Sequence, residues 1–186
     1  FTTGNTLTTA FIVKGVEQAA AMHHLDLGSA NVLIIGATGD IGRGCVSYFQ
    51  TRVKRLLLCA RNKSRLKILS DQVEETGVES EYSTDLSELL PQADIIICVA
   101  SATNLPVSSV RPDVIVCDAG YPKNLFRKAE EQAGFLFHGG MGMVECGYRF
   151  RPDYTDSFYQ YPAPGIIHGC ILEAMVLAFE NRFENY

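Results

Sequence analysis

Three glycines spaced three residues apart, Gly36, Gly39 and Gly42, stand between a short apolar run and a segment with helical periodicity. In this arrangement the first glycine permits a tight turn out of a strand, and the second lets backbone amides approach a pyrophosphate. The third lets the helix pack on the strand, and the unpaired N–H groups of the helix N-terminus face the phosphates. A glycine motif between a strand and a helix is much stronger evidence than a bare one. The alternative is a glycine-rich turn without a ligand. The pattern predicts a dinucleotide site contacted by Gly36, Thr38, Gly39, Asp40, Ile41 and Gly42.

The residues after the next apolar run bear on which dinucleotide is bound. An NAD site usually has an acidic residue here to bind the ribose hydroxyls, whereas this sequence reads Ala60-Arg-Asn-Lys-Ser-Arg65. Cations and neutral hydrogen-bonding side chains suit a ribose 2′-phosphate, which the planar fork of Arg61 can clamp. A solvated helix start with incidental charge is the alternative. We therefore expect NADP(H) as the cofactor, with Arg61, Asn62 and Lys63 around the 2′-phosphate.

Three further loops follow later apolar runs, at residues 101–104, 118–124 and 139–147. In a parallel sheet such loops meet at the carboxyl edge, where ligands bind. The last loop is rich in glycine, which permits close backbone approach to a flat ring. We expect the three loops to surround the nicotinamide, with cofactor contacts from Ser101, Ala102, Gly120 and Gly140.

A cysteine in the third loop, Cys146, lies outside any predicted strand. A thiolate beside a hydride donor can attack an activated acyl group, and the resulting thioester can accept hydride. Cys170 is the competing thiol, because it falls in the opening turns of the last helix, where the helix dipole favours a thiolate. A loop cysteine packed inward is the structural alternative. Lys123 is a second catalytic candidate, able to bind or protonate a developing oxyanion, although a lysine after a turn proline is more often a surface residue.

Composition and missing motifs argue against several other classes of protein. The chain of 186 residues is 47% hydrophobic and 20% charged, as in a globular domain, and its net charge of −5 argues against nucleic-acid binding. No apolar run is long enough to span a bilayer. The six cysteines have irregular spacing without a Cys-x-x-Cys pair, so that neither a metal site nor a disulfide framework is predicted. The absence of Tyr-x-x-x-Lys and Gly-x-Ser-x-Gly argues against a short-chain dehydrogenase and a serine hydrolase.

Strands and helices are predicted to alternate along the chain. The predicted strands are 32–35, 55–60, 78–83, 93–100, 113–118 and 135–138, and the predicted helices are about 6–25, 41–51, a stretch ending near 76, 86–90 and 166–179. This alternation predicts an α/β fold with a doubly wound parallel sheet, a Rossmann-like NADP-binding domain with flanking N- and C-terminal helices. The last helix is apolar almost all round, so we expect it to be mostly buried, either against the first helix or against a segment outside this sequence. We expect a single domain over 1–186, with a leading helix to 28, a Rossmann core over 29–147 and an irregular aromatic segment and final helix over 148–186.

The sequence resembles the long-chain acyl-[acyl-carrier-protein] reductases of the cyanobacterial type. The matching blocks are Phe1-Thr-Thr-Gly-Asn-Thr6, Ile35-Gly-Ala-Thr-Gly-Asp-Ile-Gly42, Ala60-Arg-Asn62, Gly120-Tyr-Pro-Lys-Asn124, Gly139-Gly140 and Glu173-Ala-Met-Val-Leu-Ala-Phe-Glu180. They span essentially the whole chain. The opening block and Gly-Tyr-Pro-Lys-Asn are specific to this family, whereas the glycine motif alone is not. A more distant resemblance is to the NADP domains of shikimate dehydrogenases and glutamyl-tRNA reductases.

The resemblance implies NADPH-dependent reduction of a fatty acyl thioester, carried by acyl carrier protein or coenzyme A, to an aldehyde. It implies that a cysteine after the paired glycines carries the acyl group, a position that falls on Cys146. It also implies a cytoplasmic enzyme of lipid metabolism and a longer polypeptide, because family members have a substrate region before the opening block. The alternatives are a shikimate-type alcohol or keto-acid dehydrogenase that uses Lys123, and a non-catalytic nucleotide-binding sensor or scaffold. We expect the 186-residue chain to bind cofactor but to reduce acyl thioesters poorly.

Overall fold

The computed structural model describes residues 2–100, 110–121, 134–153, 161 and 163–182. The helices in these ranges are α1 (Asn5–Met22), α2 (Asp40–Phe49), α3 (Lys63–Glu74), α4 (Leu86–Leu89) and α5 (Gly169–Phe179). The strands are β1 (Asn31–Ile35), β2 (Arg55–Cys59), β3 (Glu79–Ser83), β4 (Ile95–Cys98), β5 (Ile115–Asp118), β6 (Phe135–His138), β7 (Met141–Met143) and β8 (Ile166–His168). The chain divides into two compact units. We call Ile12–Gly139 the sheet unit, and Phe1–Phe11 with Gly140–Tyr186 the terminal unit.

The sheet unit is built on six parallel strands in the order β3-β2-β1-β4-β5-β6. The strand order reverses between β1 and β4, and at such a switch point the loops after the two strands run to opposite sides and leave a crevice. Ile35 at the end of β1 is in register with Cys59 of β2 and Cys98 of β4, and Cys98 with Asp118 of β5. The carboxyl ends of four strands therefore lie along one edge. The predicted doubly wound parallel sheet is confirmed.

The side chains of the sheet alternate between two apolar layers. Val32 and Ile34 of β1 pack in one layer with α1, α2 and α3, while Leu33 and Ile35 pack in the other with α4. All four side chains are buried. Because these strands are buried on both faces, their sequences are continuous apolar runs. The predicted burial of Cys59, Cys98 and Cys117 inside strands is confirmed.

The terminal unit contains a two-stranded antiparallel sheet, in which Met141 of β7 pairs with His168 of β8, and α5 follows directly. Glu173 of α5 is only 8% exposed. Its carboxylate accepts hydrogen bonds from the Leu7 backbone N–H at 2.6 Å and from the Thr2 hydroxyl. Because the first N–H groups of a helix have no partner within the helix, a carboxylate there both satisfies a donor and complements the helix dipole. Glu173 therefore caps the start of α1.

The C-terminal helix differs from the prediction in its start and in its burial. Residues 166–168 form β8, and α5 begins only at Gly169. Within the described structure α5 is not mostly buried, since Gly169 and Glu173 are its buried residues while Phe179 is 85% exposed. The physical reason is a single-sided contact, in which the start of α5 lies against Gly4 and Thr8. Burial against a segment outside this sequence stays a prediction. At the other end of the chain, α1 ends at Met22 rather than near residue 25, before His24 takes a φ of 55°.

Within the ranges given above, no helix is both long and apolar enough to cross a membrane.

Candidate functional site

The β1–α2 turn has the backbone geometry predicted for it. Gly36 follows β1 directly with a φ of +89°, a conformation that side chains disfavour, and its N–H donates to the Cys59 carbonyl at 2.8 Å. The Gly39 N–H donates to the Gly36 carbonyl at 3.0 Å and closes the turn. A Cβ on Gly36 would lie 3.0 Å from the Ala100 backbone nitrogen. The turn therefore depends on glycine at position 36.

The other two glycines of the motif have different roles: Gly42 permits close packing, and Gly39 leaves the N-terminus of α2 accessible. A Cβ on Gly42 would lie 2.2 Å from the Gly36 carbonyl oxygen and 2.9 Å from the Ala37 Cα, so glycine is what lets α2 pack on the turn. Gly39 is the N-cap of α2, and no side-chain hydrogen bond caps that helix among the described residues. The first N–H groups of a helix form an anion site, and the missing Cβ keeps the approach open. This cradle fits a pyrophosphate.

The segment after β2 combines a helix cap with exposed cations. Asn62 accepts a hydrogen bond at its Oδ1 from the Arg65 backbone N–H at 3.0 Å and so caps α3. Arg61 and Lys63 are exposed on either side of it. Within the part of the chain that the structure describes, neither cation forms a salt bridge. Both are therefore available to an anionic ligand, whereas Asn62 has a structural task that sequence reasoning did not identify.

A groove of about 340 Å³ separates the β1–α2 turn from α3. It is lined by Thr38, Asp40, Arg43, Arg65, Ile68, Leu69 and Gln72. Of these residues, Thr38 and Asp40 were predicted as cofactor contacts. Arg43 was missed, because a cation inside an amphipathic helix has no local signature of binding.

The loop after β5 is organised by a buried acid. Asp118 ends β5 with no exposed surface, and its Oδ1 accepts a hydrogen bond from the Gly120 N–H at 3.2 Å. Gly120 is itself buried at the carboxyl edge of the sheet. The acid therefore holds the start of a loop that was predicted to contact cofactor. Its position at the end of a buried strand was the available signal.

The remaining predicted residues are placed as follows. Ser101, Ala102 and Lys123 lie outside the described residues. Gly140 belongs to the terminal unit, has a φ of +77°, and its carbonyl accepts a hydrogen bond from the Gly169 N–H at 2.9 Å. The cofactor contact proposed for Gly140 stays a prediction.

The six thiols differ in accessibility. Cys45, Cys59, Cys98 and Cys117 are buried, and burial raises the pKa of Cys45 to about 12 and that of Cys59 to about 11. Cys146 and Cys170 are exposed. A thiol must ionise to act as a nucleophile, so the exposed pair are the two candidates.

The two exposed thiols have different surroundings. Cys146 lies in a turn shortly after β7, with its Sγ 3.6 Å from the Gly147 carbonyl oxygen. Cys170 is the second residue of α5, at the end of the helix where backbone N–H groups point outward. Among the described residues, no cluster of His, Cys, Asp and Glu side chains could hold a metal ion.

Comparison with known sequences gives two kinds of match. The family model described as Shikimate / quinate 5-dehydrogenase matches residues 17–132. The chain is also 31% identical over 191 residues to the long-chain acyl-[acyl-carrier-protein] reductase of Synechococcus elongatus. That match covers 100% of this chain and 54% of the relative, so the chain spans about half of that protein. Both resemblances inferred from the motifs are thereby confirmed.

Solved structures share the fold. Dipicolinate synthase, A chain, from Bacillus subtilis superposes with a TM-score of 0.58 at 21% identity, covering 74% of this chain and 47% of that one. Shikimate 5-dehydrogenase from Listeria monocytogenes, solved in complex with shikimate and NAD, gives a TM-score of 0.56 at 18% identity, covering 69% of this chain and 52% of that one.

Proposed function

The chain belongs to the shikimate / quinate 5-dehydrogenase family, and so to the NAD(P)-dependent oxidoreductases, and from this premise we propose that it binds NADP(H) and serves a fatty acyl thioester reductase. The observation that carries the cofactor proposal is the open N-terminus of α2 after β1, together with the exposed cations Arg61 and Lys63 after the neighbouring strand β2. A helix N-terminus suits the pyrophosphate, and cations without an acidic neighbour suit a 2′-phosphate.

The acyl thioester as substrate is supported by the similarity over the whole chain to an acyl-[acyl-carrier-protein] reductase. It is supported further by two thiols that solvent and substrate can reach. The acyl donor is proposed to be acyl carrier protein or coenzyme A, because both present the same thioester to a nucleophile.

In the proposed reaction a cysteine thiolate adds to the carbonyl carbon of the substrate thioester, and the thiolate of the carrier leaves. The acyl group is then held on the enzyme as a new thioester. NADPH held at the β1–α2 turn would supply the hydride that reduces this thioester at its carbonyl carbon, and cleavage of the enzyme's C–S bond would release the aldehyde and return the cysteine thiolate.

The surroundings of the two exposed thiols favour Cys170 over Cys146. The Gly147 carbonyl beside Cys146 accepts a hydrogen bond from the protonated thiol and offers nothing to the thiolate. The N-terminal turn of α5 presents its positive end to Cys170 and stabilises an anion there. Cys146, the candidate from the sequence, is the alternative. Substitution of Cys170 and substitution of Cys146 therefore have different expected results.

We expect Cys170→Ala in the full-length protein to lose the acyl label and the aldehyde product while NADPH still binds. The label is measured by intact-protein mass spectrometry after exposure to hexadecanoyl-CoA. Cys146→Ala is the matched control and should keep both label and product. If the two variants behave in the opposite way, Cys146 is the nucleophile. If both variants keep the label, the thioester mechanism is wrong.

The preference for NADP(H) is tested by replacing Arg61. Arg61→Ser should weaken NADPH binding by about 1–3 kcal/mol, the scale of a charge-assisted contact, and leave NADH nearly unchanged. Fluorescence titration with both cofactors measures this difference. Lys67→Gln is the control, since Lys67 is exposed on α3 and paired with Asp71 at 2.7 Å. Equal affinities of the unmodified protein for NADPH and NADH would contradict the proposal.

The family match also favours a second candidate, an alcohol or keto-acid dehydrogenase of the shikimate type that uses Lys123. Such an enzyme needs no thiol. A double variant, Cys146→Ala with Cys170→Ala, that still oxidises shikimate or quinate with NADP⁺ would support this candidate over the reductase.

A further inference from the structure

Arg43 follows Gly42 in α2, and its side chain faces α3 across the groove described above. It is exposed, and it shares one wall of the groove with Thr38 and Asp40. Thr38 belongs to the same turn as Gly36 and Gly39. The groove therefore begins at the proposed pyrophosphate cradle and continues between the two helices.

The opposite wall of the groove is one face of α3. Arg65, Ile68, Leu69 and Gln72 recur at intervals of three and four residues, the spacing that aligns side chains along a helix. Arg65 lies in the first turn of α3, three residues after the cap residue Asn62. Two guanidinium groups from different helices thus line the same space.

Both arginines lack a carboxylate partner. Among the described residues neither Arg43 nor Arg65 forms a salt bridge. Neither arginine is paired with Asp40, although Asp40 lines the same groove. Two other arginines of the sheet unit are paired with acids, Arg55 with Glu81 and Arg111 with Asp113. A dianion bound in the groove would be attracted by both cations.

We propose that Arg43 is a specificity-determining residue for the ribose 2′-phosphate of NADP(H), acting across the groove from Arg65. This rests on the proposed cofactor site. A phosphomonoester carries nearly two negative charges at neutral pH and accepts paired hydrogen bonds from guanidinium forks. Thr38 can donate a further hydrogen bond from its hydroxyl. Arg43 thus lies across the groove from the segment that carries Arg61, Lys63 and Arg65.

The test isolates the 2′-phosphate from the rest of the cofactor. The full-length protein is titrated with adenosine 2′,5′-bisphosphate and with adenosine 5′-monophosphate, which differ only in that phosphate. We expect Arg43→Gln to weaken binding of the bisphosphate about tenfold and to leave the monophosphate unchanged. Arg43→Lys keeps the charge but loses the planar fork, so its loss should be smaller. Lys67→Gln, which removes a charge from α3 outside the groove, should change neither.

Each other outcome overturns a different statement. If the unmodified protein prefers the bisphosphate and Arg43→Gln and Arg43→Lys both keep that preference, the role of Arg43 is wrong and the proposed cofactor stands. If the variants lose affinity for both ligands equally, Arg43 acts on the fold and not on the 2′-phosphate. If the unmodified protein does not distinguish the two ligands, the NADP(H) proposal fails together with the inference. Should Arg43→Gln not fold, judged by far-ultraviolet circular dichroism, Arg43→Lys alone decides the question.

Discussion

The glycines of the β1–α2 turn differ in what their missing Cβ allows. At Gly42 a Cβ would collide with backbone atoms of the turn, which cannot move without moving β1. At Gly39 a Cβ would meet only the Gly36 carbonyl oxygen at 3.4 Å, so the space beyond it is open. One glycine is therefore required by the fold, while the other keeps room for a ligand.

We predict that Gly42→Ala lowers the free energy of unfolding by about 1–3 kcal/mol, the usual cost of overpacking, because backbone must shift to admit the methyl group. Urea denaturation followed by circular dichroism measures the change. Gly28→Ala is the matched control, since its Cβ would meet Asp26 at an ordinary 3.5 Å. A Gly42→Ala variant as stable as the unmodified protein would show that the helix does not lie this close to the turn.

The start of α3 shows how one element serves both fold and site. Asn62 caps the helix through its side-chain oxygen, and the same turn presents Arg61 and Lys63. The cap fixes the direction in which α3 leaves β2. The positions of the flanking cations therefore depend on a residue that was predicted only as a cofactor contact.

The two roles of position 62 can be separated. Asn62→Ala should cost about 1 kcal/mol of stability, because the Arg65 N–H loses its acceptor. Asn62→Asp keeps an oxygen acceptor and should remain close to the unmodified protein in stability. It should nonetheless weaken NADPH binding relative to NADH, since it adds a negative charge beside the proposed position of the 2′-phosphate.

Urea denaturation and cofactor titration on the same samples distinguish these effects. Ser64→Ala, a neighbouring exposed change in the first turn of α3, serves as control for both measurements. An Asn62→Ala variant with undiminished stability would remove the capping role. An Asn62→Asp variant with unchanged cofactor preference would place the 2′-phosphate elsewhere.

At the scale of the whole molecule, four of the six thiols are buried in the apolar layers of the sheet unit, and two of them have clearly raised pKa values. Burial raises the pKa of Cys45 to about 12 and of Cys59 to about 11, from an ordinary value of 9.0. The folded protein therefore holds these protons more tightly than the unfolded chain does. The stability that they contribute is complete below pH 9 and is lost as the pH rises through about 11 and 12.

We expect the urea midpoint to fall progressively between pH 9 and pH 11, and to fall less steeply in Cys45→Ala. The comparison isolates this thiol from the tyrosines and lysines that titrate in the same range. Cys146→Ala is the control, because it removes an exposed thiol by the same substitution. If the urea midpoint falls equally steeply with pH in Cys45→Ala and in the unmodified protein, Cys45 ionises as easily in the folded as in the unfolded state.

Much of the sheet unit was readable from the sequence, because the relevant signals are local. Continuous apolar runs predicted β1, β2, β4 and β5, since a strand covered on both faces leaves few polar positions. The spacing of Gly36, Gly39 and Gly42 predicted the turn and the close packing of α2, which depend on neighbouring residues alone. The family resemblance followed from contiguous motifs in the same way.

Only the tertiary structure decided the features that join distant parts of the chain. Glu173 caps a helix whose N–H group lies 166 residues earlier, and no periodicity links the two. Strands β7 and β8 are too short to show an alternating pattern, so their pairing appears only in three dimensions. Arg43 and Arg65 face one groove because two helices pack side by side on the sheet. Local patterns specify elements, whereas these contacts depend on which elements the fold brings together.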